Sequence, residues 1–281
     1  MSSSGSKSDW SGGESNRSEA SADTSELEST VDRIRRNDKS LTYVALREGD
    51  DPVEILDALK TTTVVKKVAI FSQAQMNEEA YVKLLEVMKC NKSVESLTIS
   101  LGRSLLRERL FAVIATSGGW SSIHELVISD DPRHMSLRVS EDISNFVLQT
   151  ENLRTLKLDM AGDQTAAIIE ILSLNGTKVQ TLNIDISQIS SMTNGGRRLA
   201  AALERCTCIT ELRLALTVLD DPMEFFQMLF IKSIPKMLGL KKIKLAIFRQ
   251  HDQGFFDMVG GCIGGHQGGI EELTLFVCLI L

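Results

Sequence analysis

The sequence predicts an α/β solenoid: nine short parallel strands in one open sheet, with about eight helices along one side, wound with a right hand. Three observations predict it. A frame of apolar-x-x-apolar-x-apolar recurs nine times, stretches of helical period lie between successive frames, and polar residues break up the frames themselves. Strand and helix repeating at a near-constant interval describe a repeat architecture. Crossovers between parallel strands are right-handed in about 98% of cases, which sets the hand.

The frame is clearest at Asn152-Leu153-Arg154-Thr155-Leu156-Lys157-Leu158. Alternate side chains of a strand point to opposite faces, so Leu156 and Leu158 face one way and Thr155 and Lys157 the other. Leu153 stands where the chain turns into the strand and joins the buried side. The frames start at Leu41, Val65, Val94, Ile123, Leu153, Val179, Ile209, Leu240 and Ile270, at steps of 24, 29, 29, 30, 26, 30, 31 and 30 residues. A single frame is weak evidence, because apolar residues are common; nine in register are strong evidence.

Taken in order, residues 1–28 are rich in Ser, Gly, Asp and Glu. They offer too little apolar surface to offset the entropy of ordering, which predicts a disordered acidic tail. Leu27, Val31 and Ile34 have helical spacing, so a short helix is expected over 26–37, covering the first strand. Later stripes at i, i+3, i+4 and i+7 include Tyr81/Leu84/Leu85/Met88, Leu199/Ala202/Leu203/Cys206 and Phe255/Met258/Val259/Cys262. Shorter ones are Leu106/Leu110/Val113, Ile143/Phe146/Val147, Ile168/Ile171/Leu172 and Phe226/Leu229/Phe230. Such stripes are core faces. Asp-Asp-Pro occurs at 50–52, 130–132 and 220–222; in the first and third, Asp can cap a helix whose first residue is Pro, with Glu54 or Glu224 three places on.

A barrel or doubly wound sheet would also alternate strand and helix. Its strands are covered on both faces and read as continuous apolar runs. Arg154 and Lys157, or Lys241, Lys242 and Lys244, would then be buried charges at great cost. The sheet therefore has an open face.

These frames resemble the leucine-rich repeats of the longer, helix-containing ribonuclease-inhibitor-like class, over roughly residues 29–281. The resemblance implies a horseshoe with strands on the concave side, helices on the convex side and a partner held by the concave face. The family's usual asparagine, past two residues beyond the third apolar position, is missing. That place holds Gly49, Gln73, Gly102, Asp131, Ala161, Ser187, Thr217, Phe248 and Cys278.

The net charge of -6 gives no footprint for nucleic acid. The N-terminus has no apolar stretch of signal-peptide type, and no apolar run reaches membrane-span length. Five scattered cysteines fit a reducing, intracellular setting, cytoplasm before nucleus. His124, His134, His251 and His266 show no ligand spacing, and Cys206-Thr-Cys208 lacks a second pair for zinc, so both cysteines read as buried thiols. The glycine run from Gly260 to Gly269 lacks the Lys-Ser/Thr ending of a phosphate loop and reads as a loose last helix. No catalytic group, metal or cofactor is expected.

The candidate protein-binding surface is the outward row of repeats five to eight and the acids that follow it: Arg154, Lys157, Asp159, Asn183, Asp185, Glu211, Arg213, Lys241, Lys242 and Lys244. The lysines of repeat eight are expected to draw an acidic partner. The function this implies is a non-enzymatic protein-interaction module. The alternative is a regulator of a small GTPase that positions the GTPase's own residues, which GTP-hydrolysis assays over a GTPase panel would separate. At the other extreme of the chain, Phe276-Val277-Cys278-Leu279-Ile280-Leu281 has no charge or proline to blunt an edge. That run predicts either a truncated repeat array or self-association through this edge.

Overall fold

Each frame becomes a strand. A computed structural model describes residues 29–100, 106–129, 137–186, 192–216, 222–247 and 253–277. Its strands are β1 (Tyr43–Leu46), β2 (Lys67–Phe71), β3 (Ser96–Ser100), β4 (Glu125–Ser129), β5 (Thr155–Asp159), β6 (Thr181–Ile186), β7 (Glu211–Leu216), β8 (Lys242–Ile247) and β9 (Glu272–Val277). They form one nine-stranded sheet in strict chain order among the described residues, every neighbouring pair parallel. The sheet does not close on itself.

The register shows why the frame recurs. The second apolar positions pair as Val44, Val68, Leu97, Leu126, Leu156, Leu182, Leu212, Ile243 and Leu273, and the third positions pair from Leu46 through to Leu275 in the same way. A slip of one residue would send these side chains to the wet face, so burial specifies the register. All but those of β9 are buried.

The intervening helices are α1 (Thr30–Arg35), α2 (Pro52–Leu59), α3 (Glu78–Cys90), α4 (Leu106–Ala115), α5 (Leu137–Gln149), α6 (Gly162–Asn175), α7 (Met192–Glu204), α8 (Pro222–Gln227) and α9 (Gln253–Gly265). α8 continues through a π turn (Met228–Ser233) and a 3-10 turn (Ile234–Lys236). Most of the helical stripes and the inner strand residues form one continuous core; Leu85 and Met258 are only partly buried against it, and in α6 Ile169 is buried with Ile168 and Leu172 where Ile171 is expected. In α4 the buried residues are Leu110, Phe111 and Ile114, with Val113 only partly covered. α1 places Val31 and Ile34 in the core. Asp51 caps α2 by accepting from the backbone N–H groups of Val53 and Glu54, with Pro52 next, as the Asp-Asp-Pro spacing predicts. Leu27, the tail of 1–28, Asp130–Pro132, Asp220, Asp221 and residues 278–281 lie outside the described residues. The glycine run does form a helix: Gly260, Gly261, Gly264 and Gly265 sit in α9 with open space where a Cβ would be.

Adjacent repeats are tied together where the chain enters each strand. The carbonyls of Thr42, Lys66, Glu95, His124, Arg154, Gln180, Thr210 and Lys241 each accept two N–H groups of the next repeat, at 2.8–3.1 Å. Asparagines add to this edge. Buried Asn91 donates from Nδ2 to Leu59 O (2.6 Å) and Thr62 O (3.2 Å), and its Oδ1 accepts from the N–H groups of Ser93 (2.8 Å) and Val94 (2.9 Å). Asn37 Oδ1 accepts from Thr63 N–H, and Asn152 Nδ2 donates to Ser121 O. Asparagine ties between turns therefore exist, on the loops that lead into strands. Of the nine places where the family's asparagine is missing, the described residues include only Gly49, Gln73 and Ala161.

Candidate functional site

Opposite the helices, three side-chain rows run across the strands at frame positions three, five and seven. From β4 to β9 the first row reads Glu125, Thr155, Thr181, Glu211, Lys242 and Glu272. The middle row reads Val127, Lys157, Asn183, Arg213, Lys244 and Thr274. The third row reads Ser129, Asp159, Asp185, Ala215, Ala246 and Phe276. The second and third rows line a groove of about 400 Å³, bounded by Val127, Lys157, Asp159, Asn183, Asp185, Arg213, Ala215, Lys244, Ala246 and Phe276.

Of the ten residues singled out from the sequence, Lys157, Asp159, Asn183, Asp185, Arg213 and Lys244 meet in this groove. Glu211 and Lys242 stand in the first row beside it. Arg154 and Lys241 precede their strands, because frame position two belongs to the incoming turn. The Arg154 guanidinium folds back onto the carbonyls of Glu151 (3.0 Å) and Leu153 (3.1 Å), and Lys241 Nζ donates to Gly268 O at 2.6 Å. The apolar side of the groove (Val127, Ala215, Ala246 and Phe276) was not singled out from the sequence. Its signal was the seventh frame position, where the residues change from acidic to small and aromatic after β6.

The cations of this face are already paired. Lys157 Nζ lies 2.5 Å from Glu125, and Arg213 lies 2.7 Å from Glu211. Lys244 reaches both Glu211 (3.6 Å) and Glu272 (3.5 Å), while Lys242 reaches Glu272 at 3.3 Å. Lys241 lies 3.6 Å from Glu271. Burial pushes the Glu125 carboxyl up, yet hydrogen bonds from Lys157 and Ser96 outweigh it and leave the carboxyl below its ordinary value. Hydrogen bonding from Lys242, with the Lys244 charge, likewise holds Glu272 down. The lysines of repeat eight, expected to draw an acidic partner, are thus matched by acids on β7, on β9 and in the turn just before β9. Parallel register produces this, since it sets frame position three of one strand beside position three, and diagonal to position five, of the next.

The acids of the third row are not matched. Asp159 and Asp185 are register neighbours, and among the described residues no cation lies within ion-pair distance of either. Asp159 accepts one hydrogen bond, from Ser129 Oγ at 3.0 Å. Burial, and then the neighbouring Asp159 charge, pushes the Asp185 carboxyl above its ordinary value. On β6, between Lys157 and Arg213 in the middle row, Asn183 Oδ1 is buried with no donor among the described residues.

The raised Asp185 value carries a stability consequence. A carboxyl that holds its proton more tightly when folded favours the fold most at pH below the unfolded value, and that contribution is lost as pH rises through the folded value. Asp185→Asn should therefore stabilise the protein at pH 7 by a few tenths of a kcal/mol, the scale for partly solvated charges. The gain should vanish below about pH 4. Urea midpoints at the two pH values measure it; an equal gain at both would contradict the charge account.

Elsewhere the chemistry is sparse. Cys206 is buried, and burial pushes its thiol up to about 12. Cys208 is exposed, against the expectation of two buried thiols, because it falls in the turn before β7. His124 is exposed and His266 is buried, with Nε2 3.2 Å from Met237 O. No three His, Cys, Asp or Glu side chains converge as a metal site among the described residues, and no described helix is long and apolar enough to cross a membrane.

No protein-family model matches the chain, and comparison with curated proteins returns no match. Among solved structures, the chain is similar to actin-binding site 2 of leiomodin-1, at 15% identity over 84% of this chain and 86% of that one, with a TM-score of 0.22. It is also similar to the arginine decarboxylase of Paramecium bursaria Chlorella virus bound to agmatine, at 9% identity over 88% of this chain and 60% of that one, with a TM-score of 0.27. Likenesses this distant assign neither a family nor an activity.

Proposed function

We propose that the chain is a non-enzymatic protein-interaction module of leucine-rich-repeat type, which holds a protein partner against the open face of β4–β9. The observation that carries this reading is the groove itself. Six consecutive strands project polar and small apolar side chains into about 400 Å³ of open space, while their other face is packed with helices. A solenoid presents such a surface without needing a special loop, because each repeat adds one strand to it. A polar rim around an apolar patch is the usual composition of a contact that forms and dissociates.

Photo-crosslinking tests the reading. A crosslinking residue replacing Asn183 should capture a discrete protein from a cell lysate, and the same residue at exposed Leu174 on α6 should not. Capture from the helix side only, or equal capture from both, would sink it.

A further inference from the structure

The groove holds a second kind of information: which of its groups lack counterparts. Its three cations, Lys157, Arg213 and Lys244, are turned to Glu125, Glu211 and Glu272. Its two acids, Asp159 and Asp185, stand on neighbouring strands about 4.8 Å apart, and no cation among the described residues lies on them. Asn183 Oδ1 adds a buried acceptor without a donor. Three acceptors are thus gathered, and among the described residues their one donor is Ser129 Oγ. Beyond them the same row turns apolar, through Ala215 and Ala246 to Phe276, which is 63% exposed.

We propose that this groove receives an extended protein segment whose arginine side chain sits on Asp159, Asp185 and Asn183, while an apolar side chain of the segment lies on Ala215, Ala246 and Phe276. The proposal rests on the protein-binding reading above and adds the partner's chemistry to it. A guanidinium carries five donors in a planar fork and no acceptor, which complements two carboxylates and an amide oxygen. An ammonium is a compact, strongly hydrated point charge and fits the wide seat less well. The charge of the arginine would relieve the mutual repulsion of the two aspartates. From Asp185 to Phe276 is three strand spacings, about 14 Å, or some four residues of extended chain. The segment therefore carries its apolar residue three or four positions from the arginine. The repeat-eight lysines give no reason to expect an acidic segment, since their charge is already answered.

The test pans the full chain with a library of displayed random seven-residue peptides, then measures a recovered peptide by fluorescence anisotropy. The expected result is enrichment of arginine with Leu, Ile, Met or Phe three or four positions away. Asp159→Asn with Asp185→Asn should weaken the peptide about tenfold, as should Ala246→Glu. Replacing its arginine with lysine should also weaken it. The two Asn replacements are isosteric and remove a repulsion, so folding is kept. Recovery of acidic peptides that lose affinity on Lys157→Ala or Arg213→Ala would overturn this inference while leaving the open face as the binding surface. Recovery of no peptide overturns it too. Peptides indifferent to every groove substitution would overturn it and count against the protein-binding reading of the face as well.

Discussion

Leu156→Ala is expected to lower the unfolding free energy by about 2–5 kcal/mol, whereas Lys157→Ala changes it by about 1 kcal/mol or less. The two residues are adjacent in β5 and point to opposite faces. Leu156 is fully buried, in register between Leu126 and Leu182. Its truncation removes apolar contacts and leaves a cavity that its two neighbouring repeats can only partly close. Lys157 is partly exposed and gives up one ion pair, with Glu125. Because the array can lose cooperativity repeat by repeat, fluorescence and circular dichroism should be followed together through the urea transition. Equal destabilisation by the two substitutions would mean the faces are assigned the wrong way round.

That contrast could be drawn from the sequence alone because a strand's alternation has only two outcomes and burial chooses between them. Val44 through Leu212 could be placed on one face by counting, and their register followed once each frame was taken as one strand. Helix stripes were legible for the same reason at a different period, with Val113 marginal because Phe111 takes the buried place in α4. The cap at Asp51 was legible because aspartate, proline and glutamate have separate reasons to stand at those three places.

The site was legible only as a set of residues. Frame positions three and five could be assigned to the open face, but which cation meets which acid depends on the register between strands about 30 residues apart. Glu211 falls beside Lys242 and diagonal to Lys244 only once β7 and β8 are aligned. A count of exposed lysines therefore pointed to an acidic partner, while among the described groove residues the charges without an ion pair are Asp159 and Asp185. The ties between repeats were hidden for a related cause. Asn91 sits in an ordinary-looking Cys-Asn-Lys-Ser loop, and nothing local shows that its amide reaches carbonyls of the preceding repeat.

Asn91→Leu is expected to cost about 3–5 kcal/mol, as much as a core truncation, although the substitution adds apolar volume. The Asn91 amide is 1% exposed and holds two acceptors and two backbone donors in two successive loops. Its backbone carbonyl also accepts from Trp120 Nε1 (3.3 Å) and Ser122 Oγ (3.4 Å) in the third loop. Leucine leaves the carbonyls of Leu59 and Thr62 and the N–H groups of Ser93 and Val94 with lost bonds in a site that water reaches poorly. Unmet buried groups of this kind cost about 1–3 kcal/mol each, offset in part by relaxation of the loop. Asn152→Leu is the matched control. Its side chain is exposed and donates one bond, to Ser121 O at 2.6 Å, so water can replace it at a cost near 1 kcal/mol. Because neighbouring repeats support one another, the loss at Asn91 should be local before it is global. Amide hydrogen exchange should quicken first in β2, β3 and β4 and leave β6–β8 protected. Equal costs for the two asparagine substitutions, or uniform loss of protection along the array, would show that the loop amides do not join these repeats.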